Sequence, residues 1–190
     1  MAGMSRTTGE KNNLRNDMLA RRRELTTTQM AQADEAIFLA LVEFLDRLPR
    51  KSSQRRIAAH QPFGTEPGAT LRPRLPQRLE SAGWEVLLPI TLADNDLDWR
   101  RIDSDAPLGV GAITGCLAVI VPALAASASG MRLGRGGGSY DRALARVDTA
   151  PIVALLHDTD FPVEVPSLPH DRAVTAVITP SGGISPCPSA

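Results

Sequence analysis

The run G-M-R-L-G-R-G-G-G-S-Y-D-R, from Gly130 to Arg142, combines backbone freedom, positive charge and a carboxylate. Glycine serves where the chain must take positive φ or approach a ligand closely. Successive amides from Gly134 through Gly136, Gly137 and Gly138 can form a concave nest that donates to phosphate oxygens. Arg132 and Arg135 would neutralise the same anion, and a helix opening after Ser139 would add a favourable dipole. Glycines alone would equally fit a flexible surface turn. The company of Arg132, Arg135, Tyr140 and Asp141 favours a polyanion with its metal ion.

Two familiar phosphate loops are excluded. A Walker A loop needs lysine directly after its final glycine, and Ser139 stands there. The dinucleotide pattern G-x-G-x-x-G fails because Ser139 takes the third glycine's place after Gly134 and Gly136.

The elements that must position this loop follow from periodicity. Leu14, Met18 and Leu25 mark a charged helical pattern from about Glu10 to Leu25. Thr26 and Gln29 form a capping-box pair that starts a second helix. There Ala33, Ile37, Leu41, Phe44 and Leu48 recur at core-facing spacing. Short apolar runs follow: Ile57–Ala59, Trp84–Ile90, Leu117–Val121, Ile152–Leu156 and Ala176–Ile178, with Leu97–Ile102 as a further candidate strand. Helices are expected around Leu75–Ala82 and after Ser139. Strands alternating with helices, several uniformly apolar, predict a mostly parallel sheet covered on both faces. Residues 1–9 read as a loose leader, 10–180 as one α/β domain, and 181–190 as a disordered Ser/Pro/Gly-rich tail.

Composition narrows the class. Across 190 residues, 43% are hydrophobic and only 4% aromatic, so aliphatic side chains must fill the core. Lys+Arg and Asp+Glu are both 21, which gives no support to a general nucleic-acid or membrane-surface binder. Two distant cysteines, Cys116 and Cys187, make neither a disulfide framework nor a zinc site. No secretory signal or membrane span is read, so the expected compartment is the cytoplasm.

The run G-x-R-L-G-x-G-x-G-x-Y-D-R resembles the signature of the 5-formyltetrahydrofolate cyclo-ligase family, also called methenyltetrahydrofolate synthetases. Three other blocks agree in order: Lys11 and Arg15 as K-x-x-x-R, PFGTEP ending at Glu66-Pro67, and PHDRAVTAVIT with Asp171. The resemblance runs from about Lys11 to Thr179. It implies a three-layer α/β/α fold like that of ribose-phosphate isomerases and CoA transferases; a monomer is expected, though not by virtue of the resemblance. The resemblance also implies ATP-dependent closure of 5-formyltetrahydrofolate to 5,10-methenyltetrahydrofolate with release of ADP and phosphate.

By the same resemblance Lys11, Arg15, Arg132, Leu133, Gly134, Arg135, Gly136, Gly137, Gly138, Ser139 and Tyr140 hold ATP, with Arg135 and Lys11 catalytic. Glu66, Arg135, Gly136, Gly137, Gly138 and Ser139 contact the folate, and Asp141 and Asp171 hold Mg2+. Without the family, Lys11 and the Arg21-Arg22-Arg23 run read as solvated basic surface, and Glu66 as a solvated turn residue. His170 is expected to be structural, since imidazole suits magnesium poorly. Departures from the family pattern are Ser139 in place of an aromatic, Ala123 and Ala125-Ala126 after the strand-end proline, and a missing acidic-proline pair around Gly111–Gly115. They motivate an alternative: a family member that binds folate or nucleotide without turnover.

Overall fold

The computed structural model describes residues 2–49, 55–168 and 171–188. Helix α1 spans Ala2–Arg23 and α2 spans Thr27–Arg47, then β1 runs Arg56–Ala59, α3 Leu75–Ser81, β2 Glu85–Thr91 and β3 Leu97–Arg101. A 3-10 turn at Val110–Gly115 leads into β4 (Val119–Val121), followed by β5 (Ala125–Ala126) and β6 (Arg132–Leu133). Helix α4 (Ser139–Leu144), β7 (Ile152–Leu155), a second 3-10 turn at Asp158–Asp160, β8 (Ala176–Thr179) and β9 (Gly183–Pro186) complete the chain.

The main sheet has the order β3-β2-β1-β4-β7-β8-β9. Its five inner strands pair in parallel, and only the edges β3 and β9 are antiparallel. Side-chain alternation sends Ile57, Val86, Ile120 and Val153 to one face, under α2 and α3. Ala58, Leu87, Val119 and Ala154 go to the other, against Trp99, Ile113, Ala143 and Leu144. Both faces are covered, so the strands read as apolar runs. This is the expected α/β/α layering.

The order also fixes where a ligand can enter. From β1 the chain passes through α3 to β2 on one side, then returns to place β4 on the other. Helices α3 and α4 consequently lie on opposite faces, leaving a crevice beyond the carboxyl ends of β1 and β4. The segment after β1 carries Glu66, and the segment after β4 carries the glycine-rich loop.

Helix α2 opens on a complete capping box. Thr26 accepts from the Gln29 N–H at 3.2 Å, and Gln29 Oε1 accepts from the Thr26 N–H at 2.9 Å. Its Asp34, buried under the sheet's end, accepts from the Gly68 N–H at 2.6 Å and the Thr70 N–H at 2.8 Å. That carboxylate therefore anchors the loop carrying Glu66.

Three expectations need correction. The leader over 1–9 is helical from Ala2, and an exposed Arg6–Glu10 pair at 3.2 Å bridges its turns. Polar sequence hides such a helix from periodicity. Arg22 is not solvated but 1% exposed, because it meets Asp160 inside the fold. The tail is not disordered through 186: Gly183 takes φ 58°, the chain turns, and Val177 pairs with Ser185 and Ile178 with Ile184. Pro186 is tolerated because the strand is an edge. Residues 189–190, like His170, lie outside the described residues. No helix among those described is long and apolar enough to cross a membrane.

Candidate active site

A cavity of about 730 Å³ opens at the crevice between the β1 and β4 ends. Lys11 and Arg15 from α1, Glu66 from the β1 loop, Arg132 through Asp141 from the glycine-rich segment, and Asp171 all line it. Segments from the beginning, middle and end of the chain thus share one space.

Local sequence explains the loop. Gly130 takes φ 84°, and a Cβ there would lie 2.2 Å from the Val174 carbonyl oxygen, so only glycine permits the β5–β6 hairpin to pack there. Gly136 takes φ 109° with the Arg15 guanidinium close over it, where a Cβ would sit 3.5 Å from Arg15 Cζ. Gly134, Gly136, Gly137 and Gly138 present bare backbone on the cavity wall, with the Arg135 side chain between them. Helix α4 is only six residues long. Its dipole adds less than the sequence suggests, so the loop amides carry more of the attraction for an anion.

The cations are arranged in pairs with acids. Lys11, 8% exposed, donates from Nζ to Asp171 Oδ2 at 2.5 Å, and the Leu168 N–H donates to the same oxygen at 2.6 Å. Arg132 donates to Asp141 Oδ1 at 2.8 Å and to the Pro122 carbonyl at 3.4 Å. Arg135 donates from Nε and Nη2 to Glu66 Oε1 at 2.9 and 2.8 Å. Its guanidinium also stacks on Phe63, with Cζ 4.5 Å from the ring centroid. Arg15 differs: it donates to the Gly134 carbonyl at 2.8 Å and to Asn12 Oδ1 at 2.6 Å, bracing the loop from its place on the cavity wall.

Glu66 is 5% exposed, and its second oxygen accepts from the Phe63 N–H at 3.2 Å. Beneath it His60 Nε2 lies 4.0 Å away, in a site so buried that desolvation holds the imidazole below its ordinary value despite the nearby carboxylate. His60 is accordingly neutral, and Glu66 pairs instead with Arg135. His157, on the other side of the same loop, lies within hydrogen-bond distance of the Thr65 carbonyl at 3.0 Å.

Tyr140 lines the cavity beside Arg132, whose Cζ is 5.9 Å from its ring centroid. Its hydroxyl is buried without a hydrogen-bond partner among the described residues, and burial pushes its pKa up. A neutral phenol with an unspent donor is ready for a ligand acceptor. Leu133 contributes backbone only, because its side chain is wholly buried against Met18 and Leu124.

Ser139 lines the cavity, as does Ala123. Ala125 and Ala126 instead sit fully buried in β5, and Gly111–Gly115 lies in the turn before β4. Of the departures from the family pattern, Ser139 and Ala123 therefore bear on the cleft. Cys116 and Cys187 do not line it, and burial pushes the Cys116 thiol up to about 12.

Sequence reasoning missed Phe63, 60% exposed at the cavity rim, and the role of Arg22. The aromatic immediately before Gly64 in the acidic loop was the available signal for Phe63.

The acidic pair fits a magnesium ion delivered with phosphates. Asp141 uses Oδ1 for both Arg132 and the Arg172 N–H, the latter at 3.2 Å, so Oδ2 accepts no hydrogen bond among the described residues. The Arg172 bond also sets the Asp171 segment beside Asp141. Magnesium needs hard oxygens and keeps several waters, so one or two carboxylates suffice. No group of three or more His, Cys, Asp or Glu forms a protein-only metal cage among the described residues.

This arrangement has relatives. A model of the 5-formyltetrahydrofolate cyclo-ligase family matches residues 112–180, which include the whole glycine-rich segment and Asp171. A 5-formyltetrahydrofolate cyclo-ligase of Mycolicibacterium smegmatis is 36% identical over 156 residues, covering 70% of this chain and 78% of the relative. The 5,10-methenyltetrahydrofolate synthetase of Mycoplasma pneumoniae superposes with TM-score 0.74 at 22% identity, covering 90% of this chain and 98% of that one. The Aquifex aeolicus 5,10-methenyltetrahydrofolate synthetase gives 0.67 at 24% identity, over 95% and 94%. The two structures share the fold, and the curated relative shares sequence over most of its length: the chain belongs to the 5-formyltetrahydrofolate cyclo-ligase family.

Proposed function

We propose that the chain closes 5-formyltetrahydrofolate to 5,10-methenyltetrahydrofolate at the expense of ATP. The observation that carries this reading is the meeting of Lys11, the Gly134–Gly138 amides, Arg132, Arg135, Asp141 and Asp171 on one cavity whose other rim holds Glu66 and Phe63. One half suits a polyphosphate and the other a flat heterocycle with N–H donors.

In this reaction the formyl oxygen attacks the terminal phosphorus and ADP leaves. The N10 lone pair then attacks the activated formyl carbon, the phosphorylated oxygen departs as phosphate, and N10 loses its proton. Phosphoryl transfer of this kind asks the protein mainly for positioning and charge neutralisation, which accounts for a site built from cations and amides rather than a nucleophile. Lys11 and Arg135 turn from their carboxylates toward the phosphates. Glu66, released by Arg135, accepts from the N–H edge of the pterin ring. Arg15 and Arg132 hold the loop and Asp141 in place, and the Tyr140 hydroxyl donates to a ligand oxygen. Magnesium, when bound with ATP, would be held by Asp141 and Asp171 and would neutralise phosphate charge.

Incubation of the chain with 5-formyltetrahydrofolate and Mg-ATP, followed by the absorbance of the methenyl product, tests the reading. ATP-dependent appearance of the chromophore is expected. Folate binding with no ATP-dependent product would instead identify a binding protein, the alternative that Ser139 at the cavity wall motivates.

A further inference from the structure

Lys11, Arg15, Met18 and Arg22 fall four, three and four residues apart, which puts all four on one stripe of α1. The first two reach the cavity. The last, two turns further on, is 1% exposed and meets Asp160, itself 0% exposed. Arg22 donates from Nε and Nη2 to Asp160 Oδ2, both at 2.9 Å. From Nη2 it also reaches the carbonyls of Ala123 at 2.9 Å and Leu124 at 3.2 Å. Its acceptors come from two segments: the turn after β7 and the loop after β4. The latter loop lines the cavity, and its preceding carbonyl, Pro122, is taken by Arg132.

A buried ion pair of this kind is a poor source of stability, because desolvation offsets much of the attraction. Here Arg22 Nη1 also lacks a hydrogen-bond partner among the described residues, a further cost. Apolar side chains would dock the helix at least as firmly. What a planar guanidinium fork supplies, and an apolar contact does not, is a fixed direction. The contact sits on the same stripe as Lys11 and Arg15, so it sets the rotation and height at which those cations enter the cleft.

We infer that Arg22, through Asp160 and the Ala123 and Leu124 carbonyls, is a positioning residue that orients α1 for nucleotide binding. The inference rests on the proposed reading of the cleft, in which α1 serves the nucleotide half and Glu66 the folate half.

The test compares wild type, Arg22→Lys and the apolar double variant Arg22→Met with Asp160→Leu. Each is titrated calorimetrically with a non-hydrolysable ATP analogue plus magnesium, and separately with 5-formyltetrahydrofolate. The double variant, folded by circular dichroism, is expected to bind the nucleotide at least about tenfold more weakly and the folate within about twofold of wild type. Arg22→Lys keeps the charge but loses the fork, and should fall between on the nucleotide alone. Should the double variant fail to fold, Arg22→Lys decides: weaker nucleotide with unchanged folate supports the inference. Equal weakening of both ligands, or unchanged nucleotide affinity, would overturn it. A wild-type chain that binds neither ligand would sink the reading of the cleft itself, and this inference with it.

Discussion

Helices α1 and α2 are nearly the same length, 22 and 21 residues, yet they are held by opposite means. Helix α2 buries Ile37, Phe38, Leu41 and Leu45 against the sheet and is closed by its own capping box. Helix α1 buries Met18 among hydrophobic neighbours, but the rest of its inward stripe is Lys11, Arg15 and Arg22, paired to Asp171, Gly134 and Asp160. The first is fastened mainly by non-directional burial, which tolerates small rotations, with the Asp34 hydrogen bonds to the Gly68 and Thr70 N–H groups as a directed addition. The second is fastened by directed contacts to partners over a hundred residues away. A helix whose task is to aim charges needs direction more than adhesion, and it carries fewer apolar contacts as a result.

That contrast can be broken or sharpened by substitution. Leu41→Ala should have the largest effect on stability, about 2–5 kcal/mol for a fully buried leucine. Urea unfolding would register it, while the KM for ATP of the folded protein should not move. A shifted KM would show that α2, too, aims the site.

Lys11→Ala should do the reverse. A charge-assisted hydrogen bond contributes about 1.5–3 kcal/mol, so kcat/KM for ATP should drop about tenfold or more. Its loss of stability should be smaller than that of Leu41→Ala, and an equal loss would erase the distinction between the two helices.

Asp141→Asn should leave α1 in place and raise the magnesium concentration needed for half-maximal ADP release. An unaltered metal titration would remove Asp141 from the proposed metal site.

The smallest effect expected is at His60. Its folded value lies below the ordinary 6.5 because burial disfavours the imidazolium, with Arg135 and Arg22 adding repulsion and Glu66 opposing it. The unfolded chain therefore binds more protons as pH falls below about 6.5, and stability declines in that direction. Comparison of urea midpoints at pH 7.5 and 5.5 should show a smaller acid loss in His60→Asn than in wild type. Equal losses would mean that His60 does not titrate on unfolding.

The same contrast explains how much was legible in the sequence. Helix α2 and the inner strands announce themselves because burial by apolar side chains leaves a periodicity of hydrophobicity. The inward stripe of α1 does not, since cations occupy it, and Arg22 reads as solvated until Asp160 appears beside it 138 residues later. Strand β9 was hidden for a related reason. Gly, Ser and Pro suggest disorder, and only the free edge of β8 turns Gly183–Pro186 into a strand.

In the site, the glycine-rich run, Lys11, Arg15, Glu66, Asp141 and Asp171 were readable as types at family spacing. Their pairing was not. That Arg135 reaches Glu66 across 69 residues, with Phe63 stacked on it, depends on the crossover that sets β4 beside β1.

The central claim is that α1, the glycine-rich loop and the Asp171 segment close on one nucleotide. Hydrogen exchange followed by mass spectrometry during titration with magnesium and a non-hydrolysable ATP analogue tests it directly. Protection should rise in peptides covering Lys11–Arg15, Gly134–Asp141 and Asp171 with one shared midpoint. Protection confined to the glycine-rich peptide, or midpoints that differ between the three, would contradict the account.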